Sequence, residues 1–132
     1  GGVLMVSIVV VSHSEKAAEG IRDVAQEMGG DATIRPVGGD PDGGIGTTAP
    51  AIEEAIREAD DGTGVVVIAD LGSAVMNAEI AVEAVEGGIE AVIADAPILE
   101  GTLNAAVSAA QSDVALSEVL DRAEETRGME KL

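Results

Sequence analysis

The chain has a single histidine, His13, in the run Ser12-His13-Ser14-Glu15, where an unbroken stretch of β-branched residues ends. Ser12 and Glu15 stand in capping-box spacing, which predicts that His13 is the first residue of a helix. The positive end of a helix favours a neutral imidazole, one of whose nitrogens keeps a lone pair for attack. Open backbone N–H groups at the same end can hold an incoming phosphoryl group. Together these features describe a nucleophile for group transfer. The competing reading is a histidine that caps or packs at a strand end.

The second candidate is Asp70-Leu71-Gly72-Ser73, at the exit of another apolar run. If the two runs are neighbouring strands, the Asp70 carboxylate can accept the N–H of the His13 ring. That contact would fix which nitrogen is nucleophilic and steady the charge that develops on transfer. Gly72 permits close backbone approach, and Ser73 offers a hydroxyl and caps a second helix. Alone, an aspartate before a helix is as readily a turn former. Paired with His13, it becomes a site.

The third is the glycine-rich segment from Gly38 to Thr48, whose end, Gly46 and Thr47, is expected near the site with amides facing a phosphate. It matches neither the Walker A pattern nor a dinucleotide fingerprint, and a plain flexible connection is the other reading.

Other chemistries lack their residues. One histidine and scattered carboxylates make no metal site, and the chain has no cysteine. A Ser–His–Asp hydrolase would need a G-x-S-x-G elbow. Paired-carboxylate catalysis has no distinguishing signal on so acidic a surface. No cofactor is implied.

The elements that must position these residues follow from periodicity. Val3 to Val11, Ala32 to Val37, Val65 to Ala69 and Ala91 to Ala94 read as buried strands. Between them fall helical patterns: Ala17, Ile21, Val24, Ala25 and Met28 on one face, then a helix capped by Thr48 that buries Ile52, Ala55, Ile56 and Ala59. A third runs from Ser73 to about Val85, and two more cover Leu99 to Ala110 and Val114 to Thr126. The alternation predicts one domain, residues 3–132, of α/β class: a doubly wound, mainly parallel sheet of four to five strands with helices on both faces. Ligands of such sheets bind outside the carboxyl ends of the strands, where the strand order reverses.

Composition narrows the partners. Twenty-five acidic residues against seven basic ones give a formal charge of −18, a field that repels nucleic acid and anionic lipid. The absence of any aromatic residue excludes stacking on bases or sugars, and the core must be aliphatic. Only Lys16 and Lys131 are lysines, a scarcity that fits a salty cytoplasm in which self-repulsion is screened. The longest apolar run falls far short of the roughly 20 residues of a spanning helix. It also has no basic flank of a signal peptide, so a cytoplasmic location is expected.

Four segments then act together. Val9-Val10-Val11-Ser12-His13-Ser14, Gly46-Thr47, Ala69-Asp70-Leu71-Gly72-Ser73-Ala74 and Ala96-Pro97-Ile98-Leu99-Glu100-Gly101-Thr102-Leu103 occur in the order seen in the mannose-type EIIA family of the bacterial phosphotransferase system. The chain resembles that family over nearly its whole length, and the last segment is closest to the EIIA-like phosphotransfer subunits of dihydroxyacetone kinase. The resemblance implies that His13 receives phosphate from phospho-HPr and passes it to ADP bound on the kinase subunit DhaL, with dihydroxyacetone phosphorylated on DhaK. It implies a homodimer, and Asp70 matches the aspartate that the family keeps beside its histidine. Some family members continue into HPr-like and enzyme I-like domains, whereas here separate HPr and enzyme I proteins are expected. The acidity and the lack of aromatics depart from the family.

A mannose-type EIIA component of a sugar transporter remains an alternative on the same residues. Of other classes, a receiver domain phosphorylated on Asp70 would need an acidic pair after the first strand and a late lysine, and neither is present. A flavodoxin-like binding module would hold its ring poorly without aromatics.

Overall fold

In the computed structural model, which describes residues 4–132, four apolar runs pair side by side. They are β1 (Ser7–Ser12), β2 (Ile34–Gly38), β3 (Val65–Ala69) and β4 (Ala91–Ile93), all parallel, in the order β2-β1-β3-β4. Strand β1 starts later than its hydrophobicity suggests. Val6 is buried ahead of the ladder, and the expected start at Val3 lies outside the described residues.

Alternation along the two central strands divides the core in two. Ile8, Val10, Val66 and Ile68 pack on one side with Ala25, Ala105, Ala106, Val119 and Ala123. Those partners come from α1 (Glu15–Gly29), α4 (Ile98–Ala109) and α5 (Leu116–Glu124). Val9, Val11, Val65 and Val67 pack on the other side with Ile52, Ile56, Ala74, Ala78 and Ala81. These lie on α2 (Ala49–Ala59) and α3 (Gly72–Val85). Ile8 to Val11 of β1 and all of β3 are therefore apolar and buried, as parallel strands covered on two faces must be. The buried serines at the two ends of β1 have partners: the Ser7 hydroxyl donates to the Ala59 carbonyl and the Ser12 hydroxyl to Asp70. A short 3₁₀ turn, Glu125–Gly128, takes the place of the last turn expected of α5.

One helical face differs from its sequence reading. In α1, Ala17, Val24 and Met28 are exposed, and the stripe that meets the core is Ala18, Ala25 and Gly29, with Ile21 half-buried. The cause is the closeness of α4. A Cβ on Gly29 would sit 2.6 Å from Ala106 Cβ, so small residues rather than long ones fill that contact.

The chain leaves β1 for β2 on one side and reaches β3 on the other. The carboxyl ends of β1 and β3 thus flank the point where the strand order reverses. Val11 pairs with Ala69 in register, so the next residues out, Ser12-His13 and Asp70, emerge together.

Candidate active site

His13 is positioned by its backbone before its side chain. Ser14, not Ser12, is the N-cap of α1, and its hydroxyl accepts from the Ala17 N–H at 3.2 Å. His13 therefore precedes the helix instead of opening it, and the expected capping box is absent. The Ser12 hydroxyl is drawn elsewhere: it donates to Asp70 Oδ2 at 2.8 Å and accepts from the Ser14 N–H at 3.1 Å. The His13 N–H also donates to Asp70 Oδ2, at 3.0 Å.

The ring is held at both nitrogens. Nδ1 lies 2.9 Å from Asp70 Oδ1, and Nε2 lies 2.6 Å from Ser73 Oγ. An ionised carboxylate only accepts, so Nδ1 carries the proton. In the neutral ring Nε2 then holds the lone pair and accepts the Ser73 hydroxyl proton. The partners thus assign the tautomer and leave Nε2 as the ring atom with a lone pair. His13 and Asp70 side chains are 18% and 20% exposed, enough for an approaching group to reach the ring edge without a deep channel.

Partial burial pushes the Asp70 carboxyl up. The His13 backbone N–H, the His13 ring, the Ser12 hydroxyl and the Leu71 N–H outweigh it and hold the group below the ordinary carboxylate value. Asp70 is therefore an anion at neutral pH, as an acceptor for Nδ1–H must be.

Ser73 does not cap α3. Leu71 occupies the N-cap position with no side-chain hydrogen bond, and α3 begins at Gly72. The Ser73 hydroxyl serves His13 instead, and the first-turn N–H groups of Gly72 and Ser73 point out of an uncapped helix end. An anion on Nε2 would meet such groups favourably.

The glycine-rich loop does reach the site, although not with every group expected. The Gly46 N–H donates to the His13 carbonyl at 2.8 Å, so this amide is engaged in holding the histidine and is not open to a phosphate. At the end of β2, Gly38 packs against the turn that carries His13, since a Cβ there would run into the Ser12 carbonyl oxygen and the Ser14 backbone. Thr47 comes next, with its hydroxyl and carbonyl both facing the Asn77 side chain. Asn77 was missed in the sequence, although it stands one helical turn after Ser73 and so shares its face. Leu71, Met76 and Ile80 are exposed apolar side chains beside this face. No three His, Asp or Glu side chains among the described residues converge as metal ligands.

A doubly wound parallel sheet with a histidine and an aspartate paired at its switch point defines the class, and comparison with known proteins gives the family. Residues 7–120 match the EIIA-man family, described as the PTS system fructose IIA component, and the chain belongs to it. Among curated relatives it is 40% identical over 106 residues to the phosphoryl donor subunit DhaM of PEP-dependent dihydroxyacetone kinase 2 of Listeria innocua, covering 78% of this chain and 85% of that protein. It is 41% identical over 112 residues to the DhaM subunit of Escherichia coli, covering 80% of this chain but 24% of that longer protein. These likenesses place it among the DhaM phosphoryl donor subunits.

Solved structures agree on the architecture. A protein of unknown function, EF1359, superposes with a TM-score of 0.83 at 33% identity, covering 95% of this chain and 96% of that one. The EIIA component of Streptococcus agalactiae gives a TM-score of 0.67 at 17% identity, over 92% of each chain, which is a likeness of fold.

Proposed function

We propose that this chain is a phosphohistidine carrier in which His13 Nε2 takes a phosphoryl group from phospho-HPr and delivers it to ADP held on the DhaL subunit of a dihydroxyacetone kinase. The observation that carries the reading is the doubly held imidazole. Its Nδ1 is fixed to an anionic aspartate, and its Nε2 lies at a solvent-reachable edge beside an uncapped helix end.

In the first step the Nε2 lone pair attacks phosphorus. The bond from phosphorus to its donor atom breaks, and its electron pair returns to the donor. The Ser73 hydroxyl leaves Nε2 as the new bond forms and is then free to donate to a phosphoryl oxygen, as the Gly72 and Ser73 N–H groups are. The proton on Nδ1 stays where Asp70 holds it, and the carboxylate offsets the positive charge that the ring gains. In the second step an oxygen of the ADP terminal phosphate attacks, the N–P bond breaks and its pair returns to Nε2. No proton has to cross the ring in either step.

The exposed Leu71, Met76 and Ile80, at the start of α3 and along it from Ser73, suit protein partners better than a free small molecule, because apolar surface gathered near a functional edge is commonly a docking face. No helix among the described residues is long and apolar enough to cross a membrane.

Intact-protein mass tests the reading after incubation with enzyme I, HPr and phosphoenolpyruvate. One added phosphoryl group is expected, absent in His13→Ala and discharged by ADP-loaded DhaL. No gain rejects the carrier. Gain without discharge transfers the chain to a sugar-transporter relay.

A further inference from the structure

Asn77 has no part in holding His13, yet it ties together the two segments that border the ring. Its Nδ2 lies 2.8 Å from Thr47 Oγ1 and 3.3 Å from the Thr47 carbonyl oxygen. A carbonyl only accepts, so the end of the amide facing Thr47 must be the NH₂ group. That NH₂ donates to the Thr47 hydroxyl oxygen as well, which turns the hydroxyl's own proton away from Asn77 and leaves it without a partner in the chain among the described residues. Thr47 follows Gly46, whose N–H is bonded to the His13 carbonyl, and Asn77 follows Ser73 by one turn, where the Ser73 hydroxyl meets Nε2. The loop end is therefore anchored to the histidine on one side and to α3 on the other. The Thr47 hydroxyl sits on that tether with its proton free to turn to another acceptor.

We propose that Asn77 is a positioning residue for phosphoryl transfer: by accepting no proton from Thr47 and donating two hydrogen bonds to it, it presents the Thr47 O–H as a donor to the phosphoryl group on His13. The inference rests on the phosphocarrier reading and adds to it a residue that never touches the reacting atoms. Asn77 fixes the loop end, and Thr47 makes the contact. A loop not tied to α3 would leave that donor to be oriented during the reaction, and small misplacements of such groups cost about tenfold to a hundredfold in rate.

The test is a double-mutant cycle on the rate of phosphorylation by phospho-HPr, with the ³¹P resonance of the phosphorylated protein as a second readout. Asn77→Ala and Thr47→Val are each expected to slow single-turnover transfer by about tenfold. The double variant should be no slower than the slower single one, because both remove the same donor. The ³¹P resonance should move in the same direction in both single variants, which a purely structural effect at a distance would not produce. Asn77→Ala reacting at the wild-type rate, or two losses that multiply in the double variant, would overturn the role of Asn77. Wild-type protein that takes no phosphoryl group would instead overturn the phosphocarrier reading, so the two failures are distinct.

Discussion

Asp70 holds His13 twice, with Oδ2 on the backbone N–H at 3.0 Å and Oδ1 at 2.9 Å from Nδ1. One carboxylate thus sets both where the ring starts and which way it faces. Replacing Asp70 by Asn keeps the shape, but one end of the amide can no longer accept, so the ring tautomer and the backbone contact cannot both be served. Phosphorylation of Asp70→Asn is expected to slow by roughly a hundredfold or more with the circular dichroism spectrum unchanged. Rapid-quench kinetics at wild-type rate would remove Asp70 from the mechanism.

The same contacts predict how stability responds to acid. The Asp70 carboxyl is held below its ordinary value in the folded chain, so the folded state binds this proton less readily than the unfolded state does. Its contribution is fully present above the unfolded value of about 3.9 and is lost as pH falls through the lower folded value. Denaturant midpoints of wild type and Asp70→Asn should therefore differ at pH 6 and draw together below about pH 4. A gap that persists undiminished at pH 3 would show that the difference between the two proteins does not come from the ionised carboxylate.

Much of this arrangement was legible in the sequence, for reasons that particular residues make plain. Val65 to Ala69 reads as a buried strand because nothing in it tolerates water, and the strand order then brings Asp70 to His13. What periodicity cannot show is competition between partners. Ser12 and Glu15 have the spacing of a capping box, yet the Ser12 hydroxyl bonds to an aspartate 58 residues away. Ser73 likewise forgoes its cap for a histidine 60 residues away. On α1, Ile21 and Ala25 face the core as expected, but Ala18 and Gly29 replace Ala17, Val24 and Met28 there, because Gly29 and Ala106 bring two helices together more closely than hydrophobicity alone suggests. The place of Asn77 one turn after Ser73 puts it on the same face, but its partner Thr47 is in a distant loop that local spacing does not reveal.

Ser73 offers a sharper test of the ring's outer nitrogen. Its hydroxyl contacts Nε2 at rest, and in the proposed transfer it turns to donate to a phosphoryl oxygen. Ser73→Ala removes both contacts, and loss of the second should dominate because charge develops on the phosphoryl oxygens during transfer. Phosphorylation is expected to slow by about tenfold or more, whereas Ser73→Thr, which keeps the hydroxyl, should retain most of the rate. Faster transfer in the alanine variant would show instead that the resting hydrogen bond is the limiting barrier.

Two glycines of α1 should respond to alanine with opposite signs. Gly20 is exposed in the helix interior, and an added Cβ meets nothing within 4 Å. Gly20→Ala should stabilise by about 0.5–1 kcal/mol through helix propensity. At Gly29 the added Cβ would lie 2.6 Å from Ala106 Cβ, and the gain in propensity is outweighed by overpacking. Gly29→Ala should destabilise by roughly 1–3 kcal/mol. Thermal unfolding of the two variants side by side checks both, and equal shifts would contradict the close packing of α1 on α4.

Salt should strengthen the fold, although the surface carries ion pairs that salt weakens. Arg22, Arg35, Arg57, Arg122 and Arg127 are each within 4.0 Å of a carboxylate, and all five pairs lie on exposed surface. Such pairs contribute little individually. The carboxylates outnumber these cations so heavily that the net charge is −18, and most of the electrostatic energy is repulsion between unpaired anions. Raising KCl from 0.1 M to 1 M shortens the screening length from about 10 Å to about 3 Å and suppresses that repulsion more than it weakens the close pairs. The thermal midpoint is expected to rise across this range. A falling midpoint would mean that the local pairs outweigh the global field, and that the acidic surface is no adaptation to a salty interior.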